Sequence, residues 1–135
     1  MPKRTPHITE AELRIMKLLW RRGAGTVRDV LDALPPTDED RPAYTTVMTL
    51  MKQLADKGAL TVDRKRQPFV YKPAVRREQV SRHRVSKFLH EVFDDQAVDL
   101  VLRLVEEEDL SPEDLRRIEA KIKQREQVER SKPPD

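Results

Sequence analysis

The sequence predicts a mainly α-helical fold with one small β-hairpin. Two observations support this: capped segments repeat apolar residues at helical spacing, and only Leu60–Pro73 alternates as paired strands do. The chain has 135 residues, of which 37% are apolar and 38% charged. This length suits one compact domain or two small domains that share a core.

The first predicted helix begins at a capping box formed by Thr9 and Glu12. Ile8 and Leu13 stand at the positions of a hydrophobic staple around that cap. The apolar residues of this segment fall on one face: Leu13, Met16, Leu19 and Trp20. Trp20, at the end of this stripe, is expected in core or interface packing. The stretch Arg21–Gly25 ends the helix.

Two further helices follow in the N-terminal half. Thr26 and Asp29 cap a short helix whose apolar residues are Val27, Val30, Leu31 and Leu34. The proline-rich stretch Pro35–Pro42 predicts an exposed loop. The third helix runs from about Ala43 to Lys57, ends at Gly58, and buries Val47, Leu50, Met51 and Leu54.

A β-hairpin with a basic tip is predicted next. Leu60 and Val62 share one side of the first strand, and the second strand is formed by Phe69 and Tyr71, or by Val70 alone. The tip between them is Arg64–Gln67. Three helices followed by such a hairpin are the arrangement of a winged helix-turn-helix, in which the third helix enters the DNA major groove.

The C-terminal half is predicted to be three helices that serve dimerisation. They cover residues 75–93, residues 96–106, and a segment from Pro112 to about Val128. The middle helix is apolar on two faces and therefore needs two partners. The predicted organisation is a DNA-binding domain at 1–73, a helical dimerisation domain at 74–130 and a frayed tail at 131–135.

The charge distribution differs between the two halves. Residues 1–73 contain 14 Lys or Arg and 9 Asp or Glu, whereas residues 74–135 contain 13 and 15. A basic front half favours contact with a polyanion.

The first turn of the third helix is rich in weak helix formers, which predicts a role in binding rather than packing. Its hydroxyls and methyls suit phosphates and base edges, and the hairpin tip suits phosphate or the minor groove. The candidate DNA-binding residues are Tyr44, Thr45, Thr46, Thr49, Lys52, Arg64, Lys65, Arg66 and Arg28. The alternatives are a solvated amphipathic helix and an exposed, solubilising turn.

A second copy of the chain is the predicted partner of the helical half. Twofold symmetry in the protein matches a palindromic operator. The candidate dimer interface is Phe88, Leu89, Val92, Val98, Val101, Leu102 and Val105. The alternative is a helical bundle packed on the winged domain of the same chain.

Catalytic, metal and membrane functions find little support. The chain has no cysteine, so disulfides and thiolate metal sites are excluded. His83 and His90 share a helical face but form an incomplete zinc site. We find no catalytic constellation and predict no enzyme, cofactor or metal. No apolar run approaches the ~18 residues of a membrane helix and no signal peptide is seen, so we predict a cytoplasmic protein without a membrane partner.

The chain resembles the penicillinase-repressor family, which has copper-responsive repressors as relatives. The resemblance rests on Ile8–Trp20, Gly25–Pro35, Ala43–Leu60 and Phe69–Pro73. It implies a homodimeric repressor that binds a palindromic operator through its winged helix. The copper-responsive relatives sense metal through C-terminal cysteines, which this chain lacks.

Family members that respond to β-lactams are cleaved by a membrane-bound sensor metalloprotease in the middle dimerisation helix, between an Asn and a Phe. The matching bond here is Arg103–Leu104, which departs from that pair.

The sequence therefore predicts a dimeric transcriptional repressor of double-stranded operator DNA, released by a signal that disrupts the dimer, such as cleavage by a sensor protease. Two rival functions remain open: a winged-helix module for protein interaction, and a regulator that senses a small molecule or metal through His83 and His90.

Overall fold

A computed structural model describes residues 5–35 and 42–131 of the chain. Within these ranges it contains six α-helices and two β-strands: α1 (Glu10–Arg22), α2 (Val27–Ala33), α3 (Tyr44–Asp56), β1 (Leu60–Asp63), β2 (Val70–Pro73), α4 (Arg77–Phe93), α5 (Ala97–Glu107) and α6 (Pro112–Ser131). The mainly helical fold with one hairpin is therefore confirmed. Residues 36–41 of the predicted loop and 132–135 of the predicted tail lie outside the described residues.

The chain divides into two compact units, Met1–Lys87 and Phe88–Asp135. The division falls inside α4, beyond the predicted domain boundary after Pro73, which stays a prediction. By sequence, the first unit has 19 Lys or Arg against 10 Asp or Glu, and the second has 8 against 14. The net charges are +9 and −6, so the contrast between the units exceeds that between the predicted halves.

The predicted caps position α1 and α2. The Thr9 hydroxyl accepts from the Glu12 backbone N–H at 3.2 Å, and the Glu12 carboxylate accepts from the Thr9 N–H at 2.9 Å. Thr26 and Asp29 form the same reciprocal pair at the start of α2. Two orphan donors are satisfied at each helix start, so both helices begin where the sequence predicts.

The end of α3 is a Schellman motif. Gly58 has φ of 85°, and its N–H donates to the Ala55 carbonyl at 3.1 Å. The N–H of Ala59 donates to the Leu54 carbonyl at 2.9 Å. The left-handed glycine turns the chain out of α3 and into β1.

The hairpin is held against the turn between α1 and α2. β1 and β2 pair antiparallel, with Leu60 opposite Pro73 and Val62 opposite Tyr71. Gly25 also bridges Tyr71: each N–H donates to the other's carbonyl, at 2.9 and 2.8 Å. Phe69, predicted as a strand residue, lies before β2 and is exposed, because the connection is longer than the predicted tip.

The core of the first unit gathers apolar residues from every element between α1 and the start of α4. Its buried members are Ile8, Ile15, Met16, Leu19, Val27, Val30, Leu31, Leu34, Val47, Met51, Leu54, Ala59, Leu60, Tyr71, Val75 and Val80. Leu50 and Trp20 pack against this cluster but are only partly buried. Three of the four predicted core positions of α3 are therefore fully buried.

A partly buried ion pair joins the start of α1 to the end of α3. Glu12 of α1 has a side chain 1% exposed, and its Oε1 accepts from the ammonium of Lys57, which follows α3 and is 33% exposed. The same ammonium donates to the His7 carbonyl at 3.0 Å. The far end of α3 is therefore fixed to the start of α1.

The charge state of Glu12 reflects this pairing. Burial raises the pKa of its carboxyl, but the hydrogen bonds from Lys57 and Thr9 outweigh burial, so the pKa lies below its ordinary value of 4.5. The carboxylate is therefore charged in the folded protein at neutral pH.

Within the first unit, three hydrogen bonds hold the start of α4 and the residues just before it. The indole N–H of Trp20 donates to the Val75 carbonyl at 2.9 Å, in keeping with the packing role expected for this residue. Arg84 donates to the Ile8 carbonyl at 2.6 Å, and Gln79 donates to the Thr5 hydroxyl at 3.1 Å. The last two bonds connect α4 to the segment that precedes α1.

The second unit contains the end of α4 together with α5 and α6. Asp94 and Asp95, both in left-handed conformation with φ of 49° and 65°, turn the chain between α4 and α5. Ser111 and Asp114 cap α6 reciprocally, at 3.0 and 3.1 Å. Neither α5 nor α6 has a buried residue, both helices being wholly described. No described helix is long and apolar enough to cross a membrane.

Replacing Lys57 by Ala is expected to lower the free energy of unfolding by about 3 kcal/mol, because it leaves the Glu12 carboxylate buried without its partner. Urea unfolding followed by circular dichroism measures this change. Lys52→Ala, an exposed lysine on α3, is the control and should change the free energy by less than about 0.5 kcal/mol. Equal decreases in the free energy of unfolding for the two substitutions would show that the ion pair does not stabilise the fold.

Acid should weaken the fold through Glu12. A carboxyl whose pKa is lowered by folding stabilises the protein above its ordinary pKa, and that stabilisation is lost as pH falls through the folded value. Urea unfolding is measured for both proteins at a series of pH values from 7 downward. As the pH decreases below 4.5, we expect the urea concentration at the unfolding midpoint to decrease more for the wild type than for Glu12→Gln. Parallel curves for the two proteins would contradict this assignment.

Candidate nucleic-acid interface

The outer face of α3 is the surface that the sequence predicts to bind DNA. Along the first two turns of the helix, the residues of this face are exposed. The exposed residues of α3 are Tyr44, Thr45, Thr46, Met48, Thr49, Lys52, Gln53 and Asp56. Val47, Met51 and Leu54 point into the core instead. The helix thus buries one stripe and leaves its hydroxyl-rich face uncovered.

The start of α3 keeps its backbone donors available. Ala43 is the N-cap, and no side-chain hydrogen bond caps the helix. The first N–H groups of such a helix suit an anion, because they lack intrahelical acceptors and carry the positive end of the helix dipole. The Thr49 hydroxyl donates to the Thr45 carbonyl at 2.9 Å. Its oxygen can still accept, while Thr45 and Thr46 remain exposed.

The wing (residues 64–69, between β1 and β2) carries three predicted basic residues, all exposed. Asp63 shapes its start: one carboxylate oxygen accepts from the Lys65 N–H at 3.0 Å and the other lies 3.7 Å from the Arg66 guanidinium. Arg64 and the Lys65 ammonium have no ion-pair partner within the described residues. Their charges are therefore available to an external anion.

Arg28 lies on α2, exposed and paired with Asp32 at 3.5 Å across one helical turn. Exposed pairs of this kind are weak and are readily exchanged for another anion. Lys52 is also exposed, two turns along α3 from Tyr44.

A groove of about 190 Å³ connects α2, α3 and the base of the wing. We call it the α3–wing groove, and it is lined by Val27, Arg28, Tyr44, Met48, Gln67, Pro68, Phe69 and Tyr71. It brings together two predicted residues, Arg28 and Tyr44, whereas Lys52 and the basic residues 64–66 lie outside its lining.

Met48 and Phe69 also line this groove, although neither is among the candidate residues predicted from the sequence. Met48 lies one turn after Tyr44, so helical spacing alone could have placed it on the exposed face. Phe69 had no such signal, since an aromatic residue beside a strand is usually assigned to the core.

Of the two histidines considered in the sequence, His90 bonds Asp95, with 2.9 Å between Nδ1 and Oδ2. That hydrogen bond raises the pKa of His90 above its ordinary value of 6.5. Within residues 5–35 and 42–131, no group of three or more His, Asp or Glu side chains is arranged to hold a metal ion.

The predicted dimer residues are uncovered in the single chain. Leu89 is partly buried, and the others are exposed: Phe88, Val92, Val98, Val101, Leu102 and Val105. Arg103 pairs with Glu106 and Glu107 along α5, at 3.7 and 3.8 Å. The neighbouring Leu104 is also exposed, and the bond between these two residues lies within the helix.

The chain is similar in sequence to known repressors. The family model "Penicillinase repressor" matches residues 8–124. The penicillinase repressor of Bacillus licheniformis is 28% identical over 113 residues, which cover 84% of this chain and 87% of that protein. The methicillin resistance regulatory protein MecI of Staphylococcus aureus is 24% identical over 115 residues, covering 85% and 92%.

Solved structures similar to part of the chain include the DNA-binding domain of the repressor BlaI. That domain is 29% identical, with a TM-score of 0.49, and the match covers 58% of this chain and 93% of the domain. The CopR repressor is 28% identical, with a TM-score of 0.43, over 52% of this chain and 99% of that structure.

The family model spans most of the chain, including all of α1 to α5. The match therefore includes the winged helix as well as the helices that follow it. The chain belongs to the penicillinase repressor family, a family of DNA-binding transcriptional repressors rather than enzymes.

Proposed function

We propose that this protein is a homodimeric, cytoplasmic repressor that binds a palindromic operator, with α3 of each copy in the major groove. The observation that carries the proposal is the uncovered, hydroxyl-rich start of α3 on a unit of net charge +9. An uncapped helix start with exposed Thr45 and Thr46 suits phosphates and base edges. The surrounding positive charge attracts the duplex before any base is contacted.

The wing and α2 position α3 on the duplex. Arg64 and Lys65 carry charges with no ion-pair partner within the described residues, and Arg28 has only an exposed one. Contacts from such residues to phosphates fix the orientation of the protein without specifying sequence. The preference for one DNA sequence then comes from the α3 side chains that contact bases. Lys52, farther along α3, contacts the DNA backbone.

The second unit supplies the dimer contact. Val98, Val101, Leu102 and Val105 are exposed along α5, and α5 has no buried residue in this wholly described helix. A helix with so many uncovered apolar side chains is stabilised by covering them with a second copy. The two DNA-binding units of the dimer then contact the two half-sites of one operator.

Release from DNA follows from loss of this dimer. A monomer contacts one half-site and forfeits the second set of phosphate and base contacts. Cleavage at Arg103–Leu104 by a sensor protease would cut α5 between the interface residues Leu102 and Val105. The DNA-binding unit would remain intact. Comparing dimer content before and after such cleavage tests this route.

Operator binding should depend steeply on salt and on Thr46. We expect purified protein to prefer the DNA upstream of its gene over scrambled DNA. For six to ten phosphate contacts, affinity should fall by about 10³ to 10⁵ between 50 and 200 mM salt. Thr46→Ala should weaken binding to that DNA about tenfold, the scale of one lost base contact, with little change on scrambled DNA. Fluorescence anisotropy measures both effects.

The matched control is Thr61→Ala on β1, an exposed threonine that is not among the candidate DNA-binding residues, which should keep full preference. Binding that is insensitive to salt and to Thr46→Ala would favour a protein-interaction module over a DNA reader.

A charge placed in the α5 face should break the dimer. Val101→Asp is expected to convert the protein to monomers at micromolar concentration, because the new carboxylate would have to be buried without a partner. Analytical ultracentrifugation measures the assembly state. Gln124→Asp, which adds the same charge at an exposed polar position of α6, should remain dimeric. Dimers of unchanged affinity in Val101→Asp would exclude this face as the interface.

A further inference from the structure

The first unit concentrates its exposed apolar surface at one place. Among its described residues, four large apolar side chains are exposed: Tyr44, Met48, Phe69 and Val85. Three of them line the α3–wing groove. Their exposed fractions are 44% for Tyr44, 39% for Met48 and 37% for Phe69. This clustering calls for an apolar ligand group at that point.

The charges around the groove are those of a surface that meets DNA. Arg28 lines the groove directly, and Arg64 and Lys65 belong to the same wing as Phe69. No acidic side chain is part of the lining. A partner with a negative outer surface and an apolar group recessed within it would match both features.

Duplex DNA has such a group. The thymine C5-methyl is the apolar feature displayed on the floor of the major groove, between two rows of phosphates. Met48 lies on α3, the helix proposed to enter that groove, one turn beyond Tyr44 and next to Thr49. Its unbranched thioether chain has three rotatable bonds and adapts to an apolar group of fixed position.

We infer that Met48 is a specificity-determining residue that contacts a thymine methyl in the operator, with Tyr44 and Phe69 forming the walls of its site. This inference rests on the proposed function and adds a chemical rule to it. The threonines of α3 tolerate several bases, since their hydroxyls both donate and accept. Met48 has no comparable hydrogen-bonding group, so it favours thymine over cytosine at the same pyrimidine position.

The test removes one methyl group at a time from the DNA. Each thymine of the upstream DNA is replaced by deoxyuridine, which keeps the base pair and the O4 acceptor and lacks only the methyl. Binding of full-length wild type, Met48→Ala and Val85→Ala is measured on each duplex. Val85 is the matched control, an exposed apolar residue of the same unit outside the α3–wing groove.

Replacing one thymine of each half-site should lower the affinity of the wild type and of Val85→Ala about fourfold, because the burial of one methyl-sized group is lost. Met48→Ala should bind the thymine duplex more weakly and show no further loss with deoxyuridine at that position. Since Met48 is exposed, its truncation should leave the urea midpoint near the wild-type value.

Two results would overturn the inference while leaving the proposed function intact. One is a wild type that prefers its promoter but ignores every deoxyuridine replacement. The other is a methyl effect of equal size in wild type and Met48→Ala at all positions. Absence of any promoter preference in the wild type would instead refute the proposed function, and the inference with it.

Discussion

The partly buried ion pair between Glu12 and Lys57 is the interaction on which the relative placement of α1 and α3 depends. The carboxylate of Glu12 completes the cap of α1 while it accepts from an ammonium just beyond α3. One charged group therefore sets the start of one helix and the end of another. The far end of α3 is therefore fixed to α1, whereas its near end is presented without a side-chain cap.

A second set of contacts holds the wing in place relative to α3. The reciprocal hydrogen bonds between Gly25 and Tyr71 tie β2 to the turn before α2, and the Schellman motif at Gly58 directs the chain from α3 into β1. The groove among α2, α3 and the wing is a result of these connections. Its lining comes from three separate segments, so its shape depends on the packing of the whole first unit rather than on any one element.

The two units differ in charge and in how well their apolar residues are covered. The first unit is basic and encloses a core, whereas the second is acidic and leaves the apolar residues of α5 and α6 exposed. These properties fit the two tasks proposed above, DNA contact for the first unit and assembly with a second copy for the second. The negative net charge of the helical unit also disfavours its contact with DNA, so its apolar faces stay available for the proposed dimer.

The sequence by itself determined the helices, their caps and the glycine at Gly58, because these depend on residues within a few positions of each other. It also identified the exposed start of α3 and the basic wing through local composition. Tertiary structure alone decided that Lys57 pairs with Glu12, that Trp20 donates to Val75, and that Met48 shares a groove with Phe69. These contacts join residues 21 to 55 positions apart, and local periodicity carries no information on which distant segments meet, since that is set by the packing of the complete core.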